Sequence, residues 1–114
     1  MNITVNFEEQ KKVEINGKEY VIKRSDFEVY AIGKEALRRF AEMQPDSVES
    51  VRSCIDWMCR QIDVVLGVGS MYEISGGAPV SIEAALKVIN SIAAMCGKGY
   101  AKYVKSEYIQ PVET

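Results

Sequence analysis

Residues 48–92, VESVRSCIDWMCRQIDVVLGVGSMYEISGGAPVSIEAALKVINSI, decide the fold. Val48, Val51, Ile55, Met58, Ile62 and Val65 recur at alternating spacings of three and four. That is the core-facing seam of a helix packed lengthwise on others. Cys54, Cys59 and Leu66 widen it. Asp46-x-x-Glu49 predicts where this helix starts, and Gly67 supplies the left-handed residue that closes it after Leu66. Residues 70–74 have the length of one short helical turn, and Gly76-Gly77-Ala78-Pro79 reads as a loop. Ser81 caps a third long helix with Glu83 in its first turn. Its apolar residues Ile82, Ala85, Leu86, Ile89, Ile92, Ala93 and Cys96 share one face, and Glu83, Lys87, Asn90 and Ser91 share the other.

Outward from this stretch, Ser25-x-x-Glu28 is a capping-box pattern that opens an earlier helix running to about Met43, ended by Pro45. Its apolar arc (Val29, Tyr30, Ile32, Ala36, Leu37, Phe40, Ala41 and Met43) covers roughly half the helical wheel. Glu28, Glu35, Arg38, Arg39 and Glu42 form the solvated side. An arc that wide needs more than one neighbour, whether the hairpin and the second helix or another protomer. Further upstream, Val13 to Lys23 is two short alternating runs about Asn16-Gly17, the pair best suited to a type I′ turn. Ile3, Val5 and Phe7 alternate as well and can add a third strand through a turn at Glu8-Glu9-Gln10. At the other end, Tyr100, Tyr103 and Val104 continue the arc of Ile89 and Cys96. The third long helix is therefore expected to pass Gly97 and Gly99 and reach about Glu107, with a break at the glycines as the alternative. Residues 109–114 read as a loose tail.

The expected architecture is α+β and mostly α. A β-hairpin or three-stranded meander (1–24) precedes three main helices and one short helix (25–108), all in one domain over 1–114. Among these 114 residues is no histidine, which removes the commonest general base, the commonest metal ligand and every Ser-His or Cys-His pair. Carboxylate or lysine catalysis survives that argument. The net charge of −2, with both signs interspersed, does not favour nucleic-acid binding. The absence of a long apolar run and of a leader pattern predicts a cytoplasmic protein without membrane contact. Cys54, Cys59 and Cys96 are odd in number, lack C-x-x-C spacing and read as buried free thiols.

Several constellations compete with plain packing. Leu66 to Ser70, LGVGS, lacks the third glycine and the preceding strand of a dinucleotide-binding turn. Glu49, Asp56 and Asp63 are seven residues apart, about 10 Å along a helix, too far for a shared metal shell. A solvated face is the default reading of the three, and Asp63 can also cap or orient the glycine loop. Tyr100, Tyr103 and Tyr108 alternate with lysines, but the first two share the core arc. Trp57 and Val64 lie on the back of the second helix among polar residues. They are candidate partner anchors, with Phe40 from the wide arc and Tyr108 off the core arc. Alternatively, the hairpin or the C-terminal segment of the same chain covers Trp57 and Val64.

The order of elements carries a resemblance: an ING-x-x-Y hairpin, a helix, IDVVLGVGS, Ile74, a Gly-Pro loop and a long helix. It resembles the small tail assembly chaperones of long-tailed bacteriophages and prophages of Gram-positive bacteria. The matching residues are Ile15, Asn16, Gly17, Tyr20, Ile62, Asp63, Leu66, Gly67, Gly69 and Ile74, within about residues 13–95. The resemblance implies a non-catalytic assembly factor without metal or cofactor. It would bind the tape-measure protein and tail-tube subunits, associate with itself, and leave before the tail is complete. The alternative is a head–tail or neck adaptor that stays in the virion.

Overall fold

Asn16 and Gly17 have φ of 52° and 80°, both positive as a type I′ turn requires. They join β1 (Lys12–Ile15) to β2 (Lys18–Val21), which pair antiparallel with Val13 opposite Tyr20 and Ile15 opposite Lys18. The computed structural model describes residues 1–7 and 9–104, with backbone only for 98–104. After the hairpin come α1 (Asp26–Glu42), α2 (Val48–Leu66), the short α3 (Ser70–Ser75) and α4 (Ile82–Val104). The fold is α+β and mostly helical. Of the two expected β arrangements, the hairpin is the one observed, because residues 1–7 form no strand and Ile3, Val5 and Phe7 stand exposed. The physical reason is the path of the chain. Residues 7 and 9–11 border a cleft with residues 22–26 at the open end of the hairpin, so they do not turn back along β1.

Each helix starts where a side chain can take up an orphan amide. Ser25 Oγ accepts from Glu28 N at 3.3 Å and caps α1. The cap of α2 is Ser47, not the expected Asp46: Ser47 Oγ accepts from Ser50 N at 3.2 Å. Pro45 and Asp46 form the turn itself, held by Gln44 N donating to Ser50 Oγ at 3.0 Å. Ser81 Oγ accepts from Ala84 N at 3.1 Å and caps α4. That helix runs unbroken past Gly97 and Gly99 to Val104. The expected continuation to Glu107 and the loose tail lie outside the described residues, as do the side chains of Tyr100 and Tyr103.

The helices pack around one core. α1 lies antiparallel on α4 in the broadest helix contact, and Gly33 makes it close. A Cβ at Gly33 would come within 2.6 Å of Ala93 Cβ. α1 also runs antiparallel to α2: Arg39 lies over Trp57 near one end, while Val29 and Ile32 meet Ile62 and Val65 near the other. Val29, Ala36, Met58, Ile62, Val65, Ala85, Ile89, Ile92 and Cys96 are buried where these faces meet. The hairpin closes the core through Val13, Tyr20 and Ile22. Among the described residues, no helix is long and apolar enough to cross a membrane.

Candidate functional site

The seam of α2 does not stay buried along its length. Met58, Ile62 and Val65 are inside, whereas Ile55 and Val51 are half-buried and Val48 is 70% exposed. The open half faces a groove of about 580 Å³. Val48, Val51, Ile55 and Cys59 form its floor on α2, and Pro45, Val80, Arg52 and Asp56 line it as well. From Val48 to Cys59 the strip extends about 16 Å, some three turns of an α-helix. An apolar strip of that length with charges of both signs beside it suits the apolar face of a client helix.

The other half of α2 ends in a polar joint. Gly67 closes the helix at φ 117°, ψ 151°. This corrects the expectation of a left-handed closure there, because it is an extended positive-φ conformation open essentially to glycine alone. The left-handed residue is Gly69, at φ 85°, ψ −3°. Asp63 organises the loop between them. Its carboxylate accepts from Gly69 N at 3.2 Å and Met71 N at 2.9 Å, and so caps α3, whose own first residues offer no side-chain cap. Lys23 N donates to Val65 O at 2.8 Å, so the chain leaving the hairpin takes up a carbonyl in the last turn of α2.

α3 then anchors the hairpin. Tyr20 Oη donates to Glu73 Oε1 at 2.7 Å, Lys18 Nζ pairs with the same oxygen, and Asn16 Nδ2 donates to Ile74 O at 3.2 Å. The Lys18 hydrogen bond, then that of Tyr20, holds the Glu73 carboxyl below its usual range. The Glu73 hydrogen bond pushes the Tyr20 hydroxyl above its usual value.

The candidate anchors do not come together. Trp57 is half-buried beneath Arg39, whose guanidinium lies 4.4 Å from its ring centre. The cover seen among the described residues comes from α1. Phe40 is 39% exposed and Val64 41%, and the antiparallel pairing of α1 and α2 sets them at opposite ends of that helix pair. Tyr108 lies outside the described residues. Arg38 and Arg39 are not a basic patch: Glu35 accepts from both, and Glu42 accepts from Arg38 at 2.6 Å. Those bonds, with Arg38 the larger partner, hold the Glu35 carboxyl below its usual range. Cys54 and Cys96 are buried and Cys59 is half-buried, with no disulfide among the three. Burial is the main cause that pushes the Cys54 and Cys59 thiols up, away from the reactive thiolate. Among the described residues, no three Cys, Asp or Glu side chains gather as a metal site.

The groove itself was not singled out by sequence. Periodicity assigns its floor to the core, because it marks the apolar face of α2 without saying where along the helix its neighbours stop. The one available signal was Pro45, which ends α1 just where α2 begins. No known protein family matches the chain, and no curated protein or solved structure matches it significantly.

Proposed function

We propose that this chain is a non-catalytic tail assembly chaperone, whose groove on α2 holds an apolar segment of the tape-measure protein. The observation that carries the reading is the continuation of the core seam into the open at Ile55, Val51 and Val48. Burying that strip under a client helix removes apolar surface from water along about three turns. The resemblance described above supplies the client class. Its residues lie in the supporting scaffold: Asn16 and Tyr20 bond to α3, Ile62 and Leu66 are core, and Asp63 with Gly69 forms the loop. On this reading that scaffold holds α2 rigid, and the groove side chains select the client. Tail-tube subunits would join the complex once the tape-measure segment is held.

Capture of the tape-measure protein encoded in the same genome tests this. Ile55→Asp is expected to abolish capture while the chain still melts cooperatively, lower by only a few degrees. Undiminished capture by that variant removes the groove from the mechanism. Mass spectrometry of finished particles separates the two assembly roles. A chaperone is absent from them, and stoichiometric presence would make the chain a retained adaptor instead.

A further inference from the structure

The hairpin has a second open surface, independent of the α2 groove. Ile22 N donates to Lys11 O at 2.8 Å, and with the observed pairing this assigns the ladder bonds of β1 to residues 11, 13 and 15. The amides and carbonyls of Lys12 and Glu14 therefore point away from β2, along a free strand edge. A cavity of about 470 Å³ opens at the Glu14 end of that edge. Val13, Glu14 and Ile15 border it on the β1 side, and Met71, Ile74 and Ser75 of α3 border it as well. Its far wall is a stripe of α4, Ala84, Val88 and Ser91, whose small members leave room.

The same chain carries an unused strand. Residues 2–7, NITVNF, alternate polar and apolar without a charged side chain. Ile3, Val5 and Phe7 are 75%, 60% and 88% exposed, and among the described residues the segment pairs with nothing. Residues 7 and 9–11 pass along the cleft against residues 22–26 and do not return along their own β1. We propose that residues 2–7 of one copy add as a third strand to the β1 edge of a second copy, and that the exchange is reciprocal. The added strand would satisfy the outward amides and carbonyls of Lys12 and Glu14. Its apolar side chains would enter the cavity between β1 and α4. An uncharged segment also suits a cavity bordered by both Glu14 and Lys87.

Analytical ultracentrifugation of the full chain tests the exchange. The wild type is expected to double its apparent mass with rising concentration. Val5→Asp breaks the donor at an exposed position, and Glu14→Pro removes an edge amide that β2 does not use. Each variant alone is expected to stay monomeric. Mixed in equal amounts they are expected to dimerise, because one of the two junctions is then intact. A monomeric wild type, wild-type association by Val5→Asp, or a mixture that stays monomeric would overturn the proposal. If Glu14→Pro fails to fold, the Glu14 amide of the wild type decides: it should exchange slowly with solvent in the dimer and fast in Val5→Asp, and equal rates count against exchange. Client capture through Ile55 is measured separately, so either idea can fail without the other.

Discussion

The two halves of α2 are built from one seam and end in different environments. Towards its C-terminus, Met58, Ile62 and Val65 are almost fully buried, and the helix end is fastened by Lys23, Gly67 and the loop bonded to Asp63. Towards its N-terminus, Val48, Val51 and Ile55 continue the same spacing into a groove. The difference teaches that periodicity specifies a face and not its cover. What covers the face is set by where α1, α4 and the hairpin reach, and they leave the first turns of α2 open.

Truncations should separate the halves most sharply. Ile62→Ala is expected to cost about 2–5 kcal/mol, since Ile62 is 1% exposed. Ile55→Ala is expected to cost about 1 kcal/mol, because its site is already open on one side. Paired denaturant titrations check this, and equal costs would mean that the groove is not an open surface.

The fastening of the closed half gives the next effects. Gly67→Val is expected to destabilise by about 1–3 kcal/mol, since its backbone conformation resists a β-branched residue. A Cβ there would also stand 3.0 Å from Lys23 Nζ. Gly33→Ala inserts a methyl group against Ala93. Overpacking of about 1–3 kcal/mol should outweigh the roughly 1 kcal/mol gained in helix propensity. Adding Ala93→Gly should recover part of the loss. Thermal melts of the single and double variants measure the coupling between α1 and α4.

The smallest effect is a pH dependence confined to the hairpin joint. The folded-state value of Glu73 is lowered, so its contribution is complete above the ordinary glutamate range and fades as pH falls through the lowered value. The folded-state value of Tyr20 is raised, so its contribution is present below the ordinary tyrosine range and fades as pH climbs through the raised value. The protection of the β1 and β2 amides, relative to their intrinsic exchange rates, should therefore fall at acid pH, while that of α2 amides near Val51 changes little. Glu73→Gln should flatten the acid limb. An unchanged acid limb in that variant would remove the joint as its source.

Much of the closed half was legible in advance. Asn16-Gly17 forced the hairpin because few residues tolerate two successive positive φ values. Ser25 and Ser81 marked helix starts because their hydroxyls satisfy orphan amides. Asp63 reads by default as part of a solvated carboxylate face and only secondly as a cap for the glycine loop, and it bonds Gly69 and Met71 there. Asp46 misled because Ser47, one residue later, caps the helix equally well, and a pattern of short polar residues does not choose between them. Helical periodicity places Trp57 and Val64 on the polar back of α2 and Phe40 on the wide arc of α1, without saying how the two helices pair. The pairing of α1 with α2 sets Phe40 and Val64 at opposite ends and lays Arg39 over Trp57.

Local chemistry thus sufficed for the elements and their inward faces, because caps, turn dihedrals and periodicity act over a few neighbouring residues. Which faces stay uncovered was decided only in three dimensions. The groove on α2 and the unpaired edge of β1 depend on how far distant elements extend, and that separation in space is written in no single stretch of the chain.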